Sequence, residues 1–404
     1  MRGEIWTQPK VFVIFLICIF NLLILWDARH DIKITYNWKI SKLLWQIFLG
    51  IALISTIQSP FPLRSLLGQE QMGDGLLYWL LIAIFSLSNN LLIKQHPELA
   101  RFQLQGLVIG GVILALSIFP QVINWKIDYT ATTGKLIQDN ILQSTIFQNQ
   151  QPIGLYSHRG HTSFVLAAIA VITFIGWQWR WINTKFAMIA GILIIPALIL
   201  SQTRTGILAL LIATIYLLGR KYYKLLIPVT LICLLIITIT TYSRYTNKLP
   251  PIQQMTLDRV HLWQIANYGI RQRPFFGWGS DGYGVAFADI YSSVMSGKLT
   301  RLGDFHFEYR DKKGQMQTKQ LPTTKAHNLF LDTSLSVGLL GLAAYLCLLG
   351  WCFFQVIKSP YRGMEALLIG YLAFSFTWFE CAQFTHLAWW ALSYPSPTNS
   401  LDFL

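Results

Sequence analysis

The feature that most constrains this chain is a series of apolar stretches that recurs along its whole length. A helix that crosses a bilayer needs about 20 consecutive, mostly apolar residues, with a range of about 17 to 25. We therefore predict an all-α polytopic membrane protein with about 11 to 12 transmembrane helices, since hydropathy identifies such helices well. The predicted spans lie near residues 10–26, 42–57, 76–93, 103–120, 161–179, 186–201, 205–219, 225–241, 331–357, 363–379 and 383–394.

The composition agrees with a membrane protein. Only 12% of the 404 residues are charged and the mean hydropathy is +0.45, whereas a soluble globular chain carries about 25% charged residues. The formal net charge of +14 lies largely in short loops between apolar stretches, where it sets the topology, so we expect no nucleic-acid partner. The five cysteines lie inside or near the end of apolar stretches, in no metal-ligand or disulfide spacing.

Basic residues between the predicted spans give the orientation. Short loops rich in Lys and Arg stay in the cytoplasm, and the loops at 180–185, 220–224 and 358–362 fall on one side of the predicted bundle. We therefore divide the chain into three regions. Residues 1–241 hold about eight transmembrane helices, residues 242–327 form a large loop facing away from the cytoplasm, and residues 328–404 hold the C-terminal transmembrane helices.

The large loop has the composition of a folded unit. It contains six bulky aromatic residues within a short stretch, too many for a disordered segment. Residues 255–271 have the apolar spacing of an amphipathic helix, which Pro274 ends. Residues 305–309 alternate between polar and apolar, and residues 311–314 supply a turn, so we expect a short hairpin. The aromatic residues are Trp263, Tyr268, Phe275, Phe276, Trp278 and Tyr283.

Two arginines near predicted helix starts are candidates for anion binding. Arg204 lies in a very short turn between two apolar stretches, and a charge at the membrane boundary suggests function. A snorkelling arginine that anchors a helix end explains the turn equally well. Arg159 follows His158 and precedes His161, just before a helix on the same face, and alone this segment favours a structural role. Together the two arginines predict a clamp for phosphate or carboxylate, because guanidinium groups match these anions in geometry.

The loop and its end add further candidates. Arg259 lies on the amphipathic helix, whereas Arg271 and Arg273 have the pattern of a solvated face. His327 lies at the border of the next helix, where a neutral imidazole whose tautomer is fixed by a partner can act as a general base. A lone histidine is more often structural, but His327 shares its face with three arginines.

Several catalytic patterns are missing from the sequence. We find no P-loop and no strand-flanked Asp-x-Asp pair. We expect the carboxylates of the outer face to be scattered. Arginines and a histidine can stabilise a departing diphosphate without a metal, so the sequence predicts chemistry on a lipid-linked donor. The scattered carboxylates are Asp74, Asp258, Asp281, Asp304 and Glu308.

In order and spacing, the motifs resemble those of the O-antigen ligase and polymerase superfamily of bacterial envelope enzymes. The resemblance rests on the segments 201–206, 259–263, 273–279, 326–331 and 338–342. It implies a bundle usually of twelve helices in the bacterial inner membrane, with its active face toward the periplasm. Such an enzyme takes a glycan from undecaprenyl diphosphate and transfers it to a lipid, glycan or protein acceptor, without a metal or another cofactor. Membrane lipids surround the bundle.

The resemblance also implies roles for individual residues. Arg204 would hold the diphosphate, Arg259 would assist from the loop, and His327 would activate the acceptor hydroxyl for an inverting attack. Arg159 would join the phosphate clamp, and Arg64, in the first outer loop, is a further diphosphate-binding candidate.

Two other functions stay open at the level of sequence. One is a membrane transporter for anions, because some members of this superfamily have been proposed to move bicarbonate. A transporter should place polar residues at the membrane midplane, and Asn89, Asn90 and Thr173 are the candidates. The other is a non-catalytic assembly partner.

Overall fold

The computed structural model describes residues 6–30, 32, 34–70, 72–122, 152–219 and 259–395. The predicted span at 225–241, the basic residues at 220–224 and Asp258 lie outside the described residues. Within them the chain forms the helices α1 (Gln8–Asp27), α2 (Tyr36–Gln58), α3 (Pro62–Leu67), α4 (Leu76–Gln95), α5 (Glu98–Val122), α6 (Arg159–Gln178), α7 (Thr184–Leu200), α8 (Arg204–Gly219), α9 (Arg259–Gln272) and α10 (Gly282–Val294), the strands β1 (Lys298–Leu302), β2 (His306–Arg310) and β3 (Met316–Gln320), and the helices α11 (Leu329–Lys358), α12 (Glu365–Ser375) and α13 (Thr385–Leu392).

Six of the described helices are long and apolar enough to cross a membrane, namely α1, α2, α4, α5, α6 and α11. The helices α7, α8 and α12 are apolar but shorter. Their outer faces carry large exposed side chains such as Phe20, Ile192 and Leu211, whereas the inner faces pack together. Apolar outer faces fit a bundle that lipid surrounds. The prediction of an all-α polytopic membrane protein is confirmed in that the described residues are mostly helical and six helices are long enough to cross a membrane.

Helix α6 lies at the centre of one half of the bundle. It packs against α5, α7, α8 and α12, and most of its residues are buried. Glycines allow the close approach of its neighbours, because a Cβ at Gly111 of α5 would lie 2.3 Å from a side-chain atom of Ile169. The position of α6 is therefore fixed on several sides, which fixes its first residue, Arg159, as well.

Residues 259–327, which we call the cap, have a hydrophobic core of their own. The strands form an antiparallel sheet in the order β1-β2-β3. On its inner face, Phe307 and Tyr309 of β2 contact Tyr291 of α10, with ring centroids 5.4 and 6.1 Å apart. The turn at 311–314 joins β2 to β3, and β1 adds a third strand that the sequence pattern did not predict.

A break in α11 attaches the cap to the bundle. Gly338 has φ 72° and ψ 179°, which interrupts the helical hydrogen bonds. The freed backbone groups bind the segment 274–279, because the Trp278 N–H donates to the Leu335 carbonyl at 2.7 Å and the Leu339 N–H donates to the Pro274 carbonyl at 2.7 Å. A Cβ at Gly338 would lie 2.1 Å from the Phe275 carbonyl oxygen, so glycine is required for this contact.

Candidate active site

Arg159 and Arg204 are the first residues of α6 and α8, and these two helix starts touch. Gly206 of α8 packs against Ser163 of α6, where a Cβ on Gly206 would lie 2.5 Å from the Ser163 side chain. The two arginines therefore lie in the first turns of neighbouring helices, at the same end of the bundle. Helix N-termini carry a partial positive charge, so two of them with two arginines form a setting for an anion.

Local sequence explains why each helix begins at its arginine. His158 is the N-cap of α6, and its Nδ1 accepts a hydrogen bond from the Gly160 N–H at 2.9 Å. Before α8 the chain turns sharply at Gln202, which has φ 53°. The Thr203 hydroxyl donates to the Ser201 carbonyl at 3.1 Å and stabilises this turn. The Arg204 side chain is exposed at the end of the turn.

The backbone of His327 is held in an unusual conformation. Its φ is 56°, in the left-handed region, which costs a non-glycine residue about 1–2 kcal/mol. The Asp332 carboxylate accepts from the N–H groups on both sides of it, Ala326 at 2.7 Å and Asn328 at 3.4 Å. Asn328 caps α11 by accepting from the Phe330 and Leu331 N–H groups, and its Nδ2 donates to the Phe376 carbonyl. The conformation of His327 is therefore set by the start of α11.

The ring of His327 packs on the stacked pair Trp378 and Phe379, which follows α12. The ring centroids of His327 lie 5.1 Å from Trp378 and 5.0 Å from Phe379, both edge to face. His158 and His161 contact the same indole, at 5.2 and 6.2 Å. Trp378 also lies against Gly160, where a Cβ would come within 2.6 Å of it. One tryptophan thus joins His327 to the first turn of α6.

Arg259 approaches the same site from the cap. It begins α9, and one turn later the Trp263 indole N–H donates to the Ala326 carbonyl, next to His327, at 2.9 Å. Burial, the positive charge of Arg259 and the proximity of His158 lower the pKa of His327 to about 4. Because this value is below the ordinary pKa of about 6.5, the imidazole is neutral at neutral pH. A neutral ring can accept a proton, as a general base must.

The structure places Arg64 in a different cluster. Its Nε donates to Asp281 Oδ2 at 2.6 Å and its Nη1 to Asp304 Oδ1 at 3.2 Å. Burial alone would lower the pKa of Arg64, but Asp281 and Asp304 overcome it and raise the pKa. Lys325, two residues before His327, pairs with Asp74 and lies 3.9 Å from Asp281. The expectation that the outer carboxylates are scattered is thus wrong for Asp74, Asp281 and Asp304.

The structure also places at the site residues that the sequence patterns did not indicate. The Asp332 carboxylate accepts hydrogen bonds from the residues on either side of His327, and Trp378 packs on the His327 ring. Glu380 accepts hydrogen bonds from the Tyr345 and Tyr371 hydroxyls and lines a cavity of about 40 Å³ with Asp74, Lys325 and Asp332. A charge within an apolar stretch was an available signal for Asp332 and Glu380. Trp378 had no such signal, because an aromatic residue at the end of an apolar stretch has the ordinary pattern of a membrane interface.

The polar candidates for a transport path are bonded within the protein. The Asn89 side chain donates to the Ser393 hydroxyl at 2.7 Å, and Asn90 donates to the Ser393 carbonyl at 2.9 Å. Thr173 donates to the carbonyl one turn earlier in α6 at 2.7 Å. Each therefore has a partner that explains its place in the bundle.

Together the membrane-length helices, the cap and the cluster of arginines and histidine at one end define a multi-pass membrane protein with a candidate anion-binding site. Residues 189–346 match the family model described as O-antigen ligase. The match contains Arg204, Arg259 and His327, and it confirms the predicted resemblance to the O-antigen ligase and polymerase superfamily. No curated protein matches the chain.

Proposed function

We propose that this protein transfers a glycan from an undecaprenyl-diphosphate donor to an acceptor hydroxyl at the periplasmic face of the bacterial inner membrane. The acceptor belongs to a lipid, a glycan or a protein. One observation carries the proposal: the family match contains a neutral histidine, His327, that lies between the arginine-bearing start of the cap and the start of α6.

In this proposal the diphosphate binds at the paired starts of α6 and α8. Arg159 and Arg204 supply two fixed positive charges, and the partial positive charge of the two helix N-termini adds to them. The same groups stabilise the negative charge that develops on the diphosphate as it leaves. The lipid chain of the donor lies along the outer faces of the bundle, because both the chain and these faces are apolar.

His327 acts as the general base. The acceptor hydroxyl gives its proton to the imidazole while its oxygen attacks the sugar carbon that bears the diphosphate, and the carbon–phosphate-oxygen bond breaks with inversion. The bound diphosphate also improves the base, because nearby negative charge favours the imidazolium and raises the pKa of His327 from about 4. The positive charge of Arg259 opposes this rise in the pKa of His327, and Arg259 also interacts with the diphosphate.

Reconstituted vesicles test the proposal. The protein is supplied with an undecaprenyl-diphosphate glycan, and with either a second donor molecule or a core-lipid oligosaccharide as acceptor. We expect Arg204→Ala and His327→Ala to reduce transfer at least about 100-fold, in line with the loss of an electrostatic stabiliser or a general base. Arg271→Ala is the matched control, because Arg271 is exposed at the far end of α9, and it should transfer normally.

Two results would refute the proposal. One is transfer at the wild-type rate by both variants. The other is protein-dependent uptake of bicarbonate into sealed vesicles with no consumption of the donor glycan.

A further inference from the structure

His158 has a defined tautomer. Its Nδ1 accepts a hydrogen bond from the Gly160 N–H at 2.9 Å, so this nitrogen presents its lone pair. In a neutral imidazole only one nitrogen carries the proton, and the bond at the other nitrogen decides which one. The proton of His158 is therefore on Nε2. The N-cap of α6 is thus also a fixed neutral N–H donor.

The surroundings place this donor beside the proposed diphosphate site. The His158 side chain is exposed and directly precedes Arg159, the first residue of α6. Ser163, which packs against Gly206 of α8, lies one turn further along α6. The donor therefore lies where α6 and α8 begin.

Trp378 relates His158 to His327. The two imidazoles lie 5.2 and 5.1 Å from the same indole ring, and Gly160 lets that indole pack directly on α6. Trp378 is only 9% exposed, so its position is fixed by packing. The indole thereby holds the base at a set distance from the donor at the helix start.

We propose that His158 is a further catalytic residue, whose Nε2–H donates a hydrogen bond to the departing diphosphate, and that Trp378 is the positioning residue for both histidines. This inference rests on the proposed function. In the transfer step the acceptor oxygen bonds to the sugar carbon and its proton passes to His327. The bond from that carbon to the phosphate oxygen breaks, and the electron pair remains on the phosphate oxygen. His158 keeps its proton throughout and stabilises the new charge through its hydrogen bond.

His158→Asn separates the structural role from the catalytic one. Asparagine is a preferred N-cap and retains an acceptor for the α6 N–H groups, but it lacks the imidazole N–H. We expect the variant to have the wild-type melting temperature, a kcat lowered about 10- to 100-fold and a donor KM within about threefold of wild type. His158→Ala should lose kcat and also melt at a lower temperature. His306→Asn, at an exposed histidine of β2, is the control and should be unchanged.

Trp378 is tested by its effect on the base. Burial, Arg259 and His158 all lower the pKa of His327. Trp378→Ala removes part of that burial, so the pKa of His327 should rise and the acidic limb of the plot of kcat/KM against pH should move to higher pH. Trp378→Phe, which restores an aromatic ring, should move it back. An unchanged profile in Trp378→Ala refutes the positioning role.

A wild-type kcat in His158→Asn would overturn the proposal for His158 and leave the proposed function intact. Absence of transfer by the wild-type protein would refute the proposed function, and the inference with it. The two failures are therefore distinguishable in one set of assays.

Discussion

Replacement of Asp332 should release the backbone on both sides of His327. The carboxylate accepts the buried N–H groups of Ala326 and Asn328 at 2.7 and 3.4 Å, and it supports a residue with φ 56°. A buried N–H group without a partner costs about 1–3 kcal/mol, and the longer bond contributes less. Asp332→Ala should therefore destabilise the segment 326–328 by about 2–4 kcal/mol. Asp332→Asn keeps one acceptor oxygen and should have a smaller effect.

Hydrogen exchange followed by mass spectrometry measures this effect directly. Because each 1.4 kcal/mol corresponds to a factor of ten, amides of the peptide that contains 326–328 should exchange about 30- to 700-fold faster in Asp332→Ala. Ser334→Ala is the control, since the Ser334 hydroxyl donates to the Phe330 carbonyl within α11 at 2.7 Å, away from the segment 326–328. Exchange within about threefold of wild type in Asp332→Ala would show that the carboxylate does not hold His327, and our reasoning about the start of α11 would be wrong.

Three further predictions concern the kink, the ion pairs and the topology. Gly338→Ala should lower the free energy of unfolding by at least about 2 kcal/mol, because Gly338 has a positive φ and lies against the Phe275 carbonyl. Gly350→Ala, in open space on the same helix, should not lower it. Equal melting temperatures of the two variants would contradict the role of the kink. Arg64→Ala should cost about 3 kcal/mol at pH 8, since it removes the hydrogen-bonded partner of the buried Asp281 carboxylate while Lys325 stays 3.9 Å away. It should cost less at pH 5, because burial raises the pKa of Asp281 to about 6 and loss of Arg64 raises it further, so the carboxyl is then neutral; a defect that grows as the pH falls would refute this. Lys313→Cys, in the exposed β2–β3 turn, should react with a membrane-impermeant maleimide in intact spheroplasts, and Lys185→Cys only after permeabilisation; the reverse pattern would overturn the proposed orientation.

The sequence predicted the apolar helices of the bundle well because each depends on a local pattern, whereas the helices Pro62–Leu67 and Gly282–Val294 were not predicted. The apolar stretches near 76–93 and 186–201 correspond to helices at Leu76–Gln95 and Thr184–Leu200. Arg204 was identified for the same reason, since a charge in a short turn between two apolar stretches is visible without knowledge of its neighbours. The position of Arg204 at a helix start and its charge were enough to make it a candidate site residue.

The remaining features depend on contacts between distant segments. Arg64 pairs with Asp281 and Asp304, more than 200 residues later in the chain, and no local pattern indicates this. Strand β1 was missed because its sequence, KLTRL, has only two apolar residues, and its pairing with β2 includes a bulge near Thr300. Trp378 acquires its importance only when α6 and the segment before α11 meet on its ring.

The most direct test of the proposed site is to measure donor binding and glycan transfer separately in one reconstituted preparation. With a radiolabelled undecaprenyl-diphosphate disaccharide, we expect Arg204→Ala to bind the donor at least about 10-fold more weakly, because a charged contact to phosphate is lost. His327→Ala should bind the donor within about threefold of wild type and transfer at least about 100-fold more slowly, because only the general base is lost. Wild-type donor affinity in Arg204→Ala, or wild-type transfer in His327→Ala, would contradict the assignment of the diphosphate to the helix starts and of the base to His327.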